Sequence, residues 1–410
     1  MEKFTPSNLK GIIDAEPAIQ SMRNRIISTL RENFELSGFL PLETSILNHL
    51  DLLTHKYDES AEIVREIYKL RDQGERDIGL RFDLTVPFAK FIAMNRNMKM
   101  PFRRYEIGRV FRNGPVKSGR LREFYQCDID VVGQGGIEVE AEIIALVVKC
   151  FIALGIEPVV KIGNRKLLSN LIQAQGVQDK DMDNVIGIID KMEKVSRAEL
   201  VKDLEKYVST EKANALLDSF ANQKPDGEIA SLFARLKDYE VDKHCVFAPS
   251  LARGLNYYTG VIFEVFDKAG RISSSLGGGG RYDNMITDFI DNGLSYPALG
   301  VSFGLEPIMA VLQSSVSDPL VDVLIIPIET HKLSFDLAEN LRKKGCRVLV
   351  LPQKVTKAME YANAVGIPFV TVVGEREGRT KLIEIKRMSD GEKQVFSVTT
   401  PVKIAKFVQM

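Results

Sequence analysis

Between Pro101 and Gly133 the sequence PFRRYEIGRVFRNGPVKSGRLREFYQCDIDVVG spaces an arginine, a glutamine and two aspartates so that they can share one surface. Read as two strands, its first run turns Glu106 and Arg112 away from Tyr105, Ile107 and Phe111, because successive side chains of a strand point to opposite faces. In the second run Cys127, Ile129 and Val131 form an apolar face, and Gln126, Asp128 and Asp130 form a polar one. An arginine fixed beside a glutamine and two carboxylates can bind a phosphate on one side and an ammonium or imidazole on the other. Lys117, Arg120 and Arg122 in the loop between the runs supply donors able to close over a polyphosphate or an RNA end. A hairpin with a merely solvated polar face accounts for the same alternation.

Two alternating runs around a short basic loop with Gly and Pro predict an antiparallel hairpin, and the elements around it must hold that polar face in place. Upstream, Ile19, Met22, Ile26, Ile27, Leu30 and Phe34 recur at helical spacing over residues 17–36, ending near Gly38 before the extended FLPLETSIL with its bend at Pro41. In GLRFDLTVPFAKFIAMN, Asp83 and Thr85 alternate with apolar residues just before Pro87. They can line a pocket, or they can cap an apolar helix that starts near Pro87. Downstream, residues 137–154 read as an apolar-faced helix closed by Gly155.

Residues from about 165 to 245 change character to helical, charged and poor in aromatics, which predicts an inserted helical module. The segment VFAPSLARGLNYYTGVIFEVF then sets Arg253 among small residues, with Tyr257 and Tyr258 ahead of a strand-like run. Next, SSSLGGGGRYDNM places four glycines before Arg281, Tyr282 and Asp283. Consecutive glycines allow close backbone approach to a ligand, and equally suit a flexible turn. PALGVSFGLEPIMAVL predicts a strand, a glycine turn and a helix. From Val321 onward short apolar strands alternate with helices, a compact α/β domain of about 90 residues with no Gly-rich dinucleotide fingerprint.

The 410 residues are 45% apolar and 27% charged, with 55 basic and 55 acidic side chains. A nucleic-acid partner would therefore be held by local basic patches and not by a global field. Cys127, Cys150, Cys245 and Cys346 are scattered without a CxxC pair, so neither a zinc site nor a disulfide framework is expected. No apolar run approaches the roughly 20 residues that span a bilayer, and the N-terminus shows no hydrophobic signal segment. The expectation is a cytoplasmic protein without a membrane partner.

LRFDLTVP (Leu80 to Pro87), VFRNGPVKSGRLREFYQCDIDVVG (Val110 to Gly133), LARGLNYYTG (Leu251 to Gly260), GGGGRYD (Gly277 to Asp283) and the segment from Val321 to Met410 follow one another in a characteristic order. In that order and spacing the chain resembles the histidyl-tRNA synthetases, class II aminoacyl-tRNA synthetases, over nearly its whole length. The resemblance implies an α+β fold. Residues 1–318 would form a class II catalytic domain around a mixed, mainly antiparallel sheet of six or seven strands with flanking helices. The helical insertion would contact the tRNA acceptor arm, and residues 319–410 would form an anticodon-binding-like α/β domain. It implies a homodimer built around the long helix and the Pro41 strand.

The implied chemistry joins histidine to ATP, taken with Mg2+, as histidyl-adenylate and passes it to the 3′ end of tRNA(His). Carried over by position, Arg112 and Arg253 would be catalytic, acting on the α-phosphate. Asp83, Thr85 and Gln126 would bind the histidine amino group, Asp130 and Tyr258 the imidazole, with Tyr257 and Tyr282 closing the pocket. Arg112, Arg120, Arg253 and Arg281 would bind ATP, and no resident metal is expected. The chain departs from the family at Gly114, where an acidic residue is usual, at Pro307, where an arginine usually contacts ATP phosphates, and at Asn256, commonly an aspartate. These departures suit a divergent second paralogue of the ligase, and two other readings stay open. One is a non-catalytic regulatory partner of ATP phosphoribosyltransferase, although such relatives generally lack the C-terminal domain; the other is a ligase that passes activated histidine to an acceptor other than tRNA.

Overall fold

The computed structural model describes residues 5–55, 62–116, 121–192, 194–252, 257–312 and 319–409. Lys117, Arg120, Arg253 and Asn256, singled out above, lie outside the described residues. The chain divides into two compact units, Met1–Asp14 with Met22–Ser314, and Ala15–Ser21 with Ser315–Met410.

The first unit contains strands β1 (Leu40–Pro41), β2 (Leu47–His49), β3 (Lys69–Arg71), β4 (Asp77–Leu80), β5 (Phe102–Phe111), β6 (Glu123–Val132), β7 (Pro158–Asn164), β8 (Cys245–Phe247), β9 (Val261–Asp267), β10 (Gly277–Arg281) and β11 (Ala298–Gly304). Eight of them make one sheet in the order β1-β5-β6-β11-β10-β9-β7-β8, and β2-β4-β3 form a small second sheet. The centre of the large sheet is antiparallel, as expected. It has eight strands where six or seven were anticipated, because the short β1 and β8 add parallel pairings at its two edges.

The alternating runs form the β5–β6 hairpin, ten residues on each side, with Arg104 opposite Asp130 and Glu106 opposite Asp128. On its other edge β6 pairs with β11, which brings Gly300 opposite Asp130, Ser302 opposite Asp128 and Gly304 opposite Gln126. The two-residue period then sorts the faces. Cys127, Ile129, Val131 and Phe303 are buried on one side, where Phe303 packs against Phe34 of helix Pro17–Leu36 and Phe151 of helix Ile137–Ala153. That second helix is apolar almost all round because it is covered almost all round. Gly155, at φ +76, lets the chain turn back immediately after it.

The opposite face carries Gln126, Asp128 and Asp130 and is walled by helix Thr85–Met94, the tyrosines near β9 and β10, and helix Asp283–Ile290. Between β7 and β8 the described residues form five α-helices, Arg165–Ala174, Met182–Ile189, Arg197–Leu204, Thr210–Asn222 and Gly227–Asp238. Asn164 caps the first by accepting from the amides of Lys166 and Leu167, and Ser196 with Glu199 forms a capping box on the third. Leu168, Ile172, Val185, Leu200, Leu216 and Phe220 give this region a core of its own.

The second unit has strands β12 (Val323–Pro327), β13 (Val348–Val350), β14 (Phe369–Val373), β15 (Leu382–Arg387) and β16 (Lys393–Ser397) in the order β13-β12-β14-β15-β16. The first three are parallel and the last two antiparallel. Helices His331–Arg342 and Pro401–Val408 bury Leu337, Leu341 and Ile404 in a core shared with Val323, Ile325 and Ile385. Among the described residues no helix is long and apolar enough to cross a membrane.

Candidate active site

A cavity of about 400 Å³ opens on the polar face of the large sheet. It gathers Asp83, Thr85, Arg112, Gln126, Asp130, Tyr257, Tyr258 and Tyr282, which the sequence places in four separate segments. Backbone replaces side chains on part of the wall, where Gly277, Gly278, Gly300 and Gly304 lie.

Asp83 satisfies both readings of its segment. One carboxylate oxygen, Oδ1, accepts from the Val86 amide at 3.1 Å and so ties down the start of helix Thr85–Met94. Its Oδ2 is buried in the cavity wall with no hydrogen-bond partner. Gln126 Oε1 and Asp128 Oδ1 are in the same condition, whereas Gln126 Nε2 donates to Ser302 Oγ at 2.9 Å. Buried acceptors left unsatisfied are costly, so three of them around one cavity fit a ligand rich in N–H donors. Among the described residues there is no group of three or more His, Cys, Asp or Glu arranged to hold a metal ion.

Asp130 is held differently. Fully buried Arg104 places a guanidinium nitrogen 2.7 Å from Asp130 Oδ2 and another 3.3 Å from Glu106 Oε2. Arg104 also donates to the Leu84 carbonyl at 3.2 Å and lies over the Phe88 ring. The Tyr282 hydroxyl donates to Asp130 Oδ1. Glu106 in turn accepts from Arg81 at 2.7 Å and from the amide and hydroxyl of Thr44. Burial dominates the acid strengths here: it pushes Asp83 up to about 6 and Asp128 up to about 8, and raises Asp130 as well. The Tyr257 ring lies tilted 4.7 Å from that of Tyr258 and edge-on 5.9 Å from that of Tyr282, closing an aromatic wall beside Asp130.

At the other end Arg112 is fixed by its Nε, which donates to the Phe82 carbonyl at 3.0 Å, and by the Phe124 ring beneath its guanidinium at 5.2 Å. Glu66, buried to 5% exposure, lines this end. Its carbonyl accepts from the Asn113 amide at 2.7 Å, and its carboxylate fills the space next to Gly114, where any β-carbon would overlap it. Gly114 therefore departs from the family pattern at a point where a carboxylate arrives from elsewhere in the chain. Arg281 does not line the cavity: its Nε donates to Asp283 at 2.7 Å and its guanidinium lies 3.6 Å from Glu140. An acid two residues along captures it locally. Pro307 occupies the first turn of helix Leu305–Leu312, where the absent N–H breaks no intrahelical bond.

Sequence reasoning passed over Arg104, Glu66 and Ser302, and saw Asp128 on the polar face without giving it a role. Arg104 had a usable signal, since it shares strand parity with Glu106 and Arg112; Glu66 and Ser302 had none, because only folding brings them here.

Comparison with known proteins agrees with this geometry. The family model described as Histidyl-tRNA synthetase matches residues 11–308, and the one described as Anticodon binding domain matches residues 322–408. The chain is 40% identical over 407 residues to histidine--tRNA ligase 1 of Bacillus anthracis, covering 94% of this chain and 96% of that protein. It is 38% identical over 420 residues to histidine--tRNA ligase 2 of Shouchella clausii, covering 96% and 99%. Its fold superposes on a crystal structure of histidyl-tRNA synthetase from Nostoc sp. with a TM-score of 0.83, at 26% identity and 99% coverage of both chains.

Proposed function

This chain belongs to the histidyl-tRNA synthetase family, and on that premise we propose that it is an ATP-dependent histidine--tRNA ligase. The observation that carries the reading is the cavity wall itself, where carboxylate and amide oxygens await donors while an immobilised arginine waits at the far end. Histidine offers an ammonium and an imidazole N–H to the first and its own carboxylate toward the second. Asp83, Thr85 and Gln126 receive the ammonium. Asp130, clamped by Arg104 and Tyr282, accepts from one imidazole nitrogen, and the Tyr258 phenol serves the other, with Tyr257 packed against both tyrosines.

ATP enters as its magnesium complex. Arg112 holds the α-phosphate, joined by Arg253 and Arg120, and stabilises charge that builds up as the reaction proceeds. A histidine carboxylate oxygen attacks the α-phosphorus, the bond to the bridging oxygen breaks, and pyrophosphate leaves. A hydroxyl of the 3′-terminal ribose of tRNA(His) then attacks the activated carbonyl and releases AMP. Such a pocket also rejects amino acids that lack the imidazole, because its own polar groups would be left unpaired.

The proposal extends to organisation. Residues 1–318 act as the catalytic domain, with the helices of about 165–245 reaching the acceptor arm, and residues 319–410 hold the anticodon. A cytoplasmic homodimer would cover Leu36 and Leu40, which are 81% and 57% exposed beside the β1 edge. The near full-length likeness to histidine--tRNA ligases argues against the regulatory role. Histidine-dependent ATP–pyrophosphate exchange, run beside aminoacylation of total tRNA, tests the whole. Both activities are expected. Exchange without charging points to another acceptor, and the absence of both would overturn the reading.

A further inference from the structure

Gln126 offers the ligand an oxygen at one end of its amide and a hydrogen-bond donor at the other, and which end faces inward decides whether an ammonium is welcomed or repelled. Ser302 and Asp128 sit opposite one another on β11 and β6. The Ser302 hydroxyl hydrogen-bonds the Asp128 carboxylate, and Ser302 Oγ receives Gln126 Nε2 at 2.9 Å. A hydroxyl has a single hydrogen to give, and Asp128 can only accept once it is ionised, the state that an ammonium entering beside it favours. That hydrogen therefore goes to Asp128, which leaves Ser302 Oγ as an acceptor toward Gln126. Only the NH2 end of the amide satisfies it. The oxygen is turned the other way, into the cavity wall, where it has no partner.

We propose that Asp128 and Ser302 are positioning residues that lock the Gln126 amide with its oxygen toward the substrate ammonium. Neither need touch the reacting atoms. Asp128 is 3% exposed and its Oδ1 has no hydrogen-bond partner, so its retention in the wall has no satisfied-core explanation. The relay explains why a strand that needs one carboxylate for the imidazole carries a second two residues earlier. This inference rests on the histidine site proposed above.

The test measures histidine affinity by calorimetry, and the Michaelis constants for histidine and ATP by pyrophosphate exchange, in the full-length protein. Ser302→Ala removes the acceptor that orients the amide and should weaken histidine binding by about three- to tenfold, the worth of one neutral hydrogen bond. Asp128→Leu leaves the Ser302 hydroxyl free to donate to the amide oxygen as readily as to accept from the NH2 end, and should act in the same direction. Both variants should keep the ATP constant, which a general loss of structure would not, and Ser302→Thr should restore histidine affinity. In a Gln126→Ala background Ser302→Ala should cost less than about twofold further, because no amide is left to orient. Equal cost in both backgrounds, or histidine affinity unchanged by Ser302→Ala, would overturn the relay while leaving the histidine site standing. A parent protein that binds no histidine would overturn the site itself, and the relay with it.

Discussion

Gly300 lies opposite Asp130 across the β11–β6 pair, so close beneath it that a β-carbon at position 300 would overlap the carboxylate and come within 3.0 Å of the Tyr282 ring. The missing side chain is thus a condition of the Asp130–Tyr282 hydrogen bond, because both groups occupy the space it vacates. A glycine in a strand interior weakens the strand, and here it sits where a cavity-facing acid needs room.

Gly300→Ala should therefore displace Asp130 without abolishing the fold. Overpacking of a rigid site costs about 1–3 kcal/mol, so histidine affinity should fall by about fivefold to more than a hundredfold. The ATP Michaelis constant should move much less. Calorimetry with histidine decides the matter, and unchanged affinity would mean that Asp130 does not contact the substrate where the geometry puts it.

Histidine binding should release protons. In the free protein burial holds Asp83 at about 6 and Asp128 at about 8, both well above the ordinary 3.8. An ammonium entering beside them favours their charged forms and lowers both values, so the complex carries fewer protons and affinity rises with pH between about 6 and 8. The same raised values act oppositely on the empty protein. The folded state binds more protons than the unfolded one over that range, so these two groups subtract stability as pH climbs from about 4 to 8. Calorimetry in buffers of different ionisation enthalpy counts the protons, and net uptake would contradict this assignment.

Strand parity carried most of what could be read in advance. Period-two alternation at Cys127, Ile129 and Val131 against Gln126, Asp128 and Asp130 correctly separated the core face from the cavity-lining face, because a buried face leaves little freedom of register. The hairpin and the mixed sheet were legible for that reason. Contacts made by residues far apart in sequence were not. Arg104 reaches Leu84 and Asp130, Glu66 reaches the Gly114 turn, and Ser302 meets Gln126 only through the β6–β11 pairing. Arg281 shows the converse, since its nearest partner, Asp283, sits in the very motif that suggested a ligand role.

Asp83→Asn separates capping from ligand binding. Asparagine keeps an acceptor for the Val86 amide, so the helix should start as before, and the melting temperature should hold or rise because a desolvated acid has gone. The open Oδ2, however, would lose its charge. A charge-assisted hydrogen bond is worth roughly 1.5–3 kcal/mol, so histidine affinity should drop by about ten- to a hundredfold. Thermal melting and histidine titration on one preparation test both halves, and a variant that binds histidine normally would reduce Asp83 to a cap.

Pro307→Arg should strengthen ATP binding. Pro307 is the third residue of helix Leu305–Leu312, and its ring lies 3.3 Å from where a β-carbon on Gly304, itself part of the cavity wall, would sit. A long side chain there can extend toward the phosphates. In the first helical turn an arginine regains an N–H that the helix does not need, so the fold should tolerate it. One added charge-assisted phosphate contact is worth roughly 1.5–3 kcal/mol, which predicts an ATP Michaelis constant lower by about ten- to a hundredfold in pyrophosphate exchange, with the histidine constant unchanged. In the parent the missing charge has to come from other cations. Alanine at Lys117 or Arg120 should raise the ATP constant. Alanine at Arg281 should leave it alone, since that guanidinium is already engaged by Asp283 and Glu140. If Pro307→Arg changes nothing while Arg281→Ala weakens ATP binding, the phosphates lie on the β10 side of the cavity and Arg281 must leave its two acids to meet them.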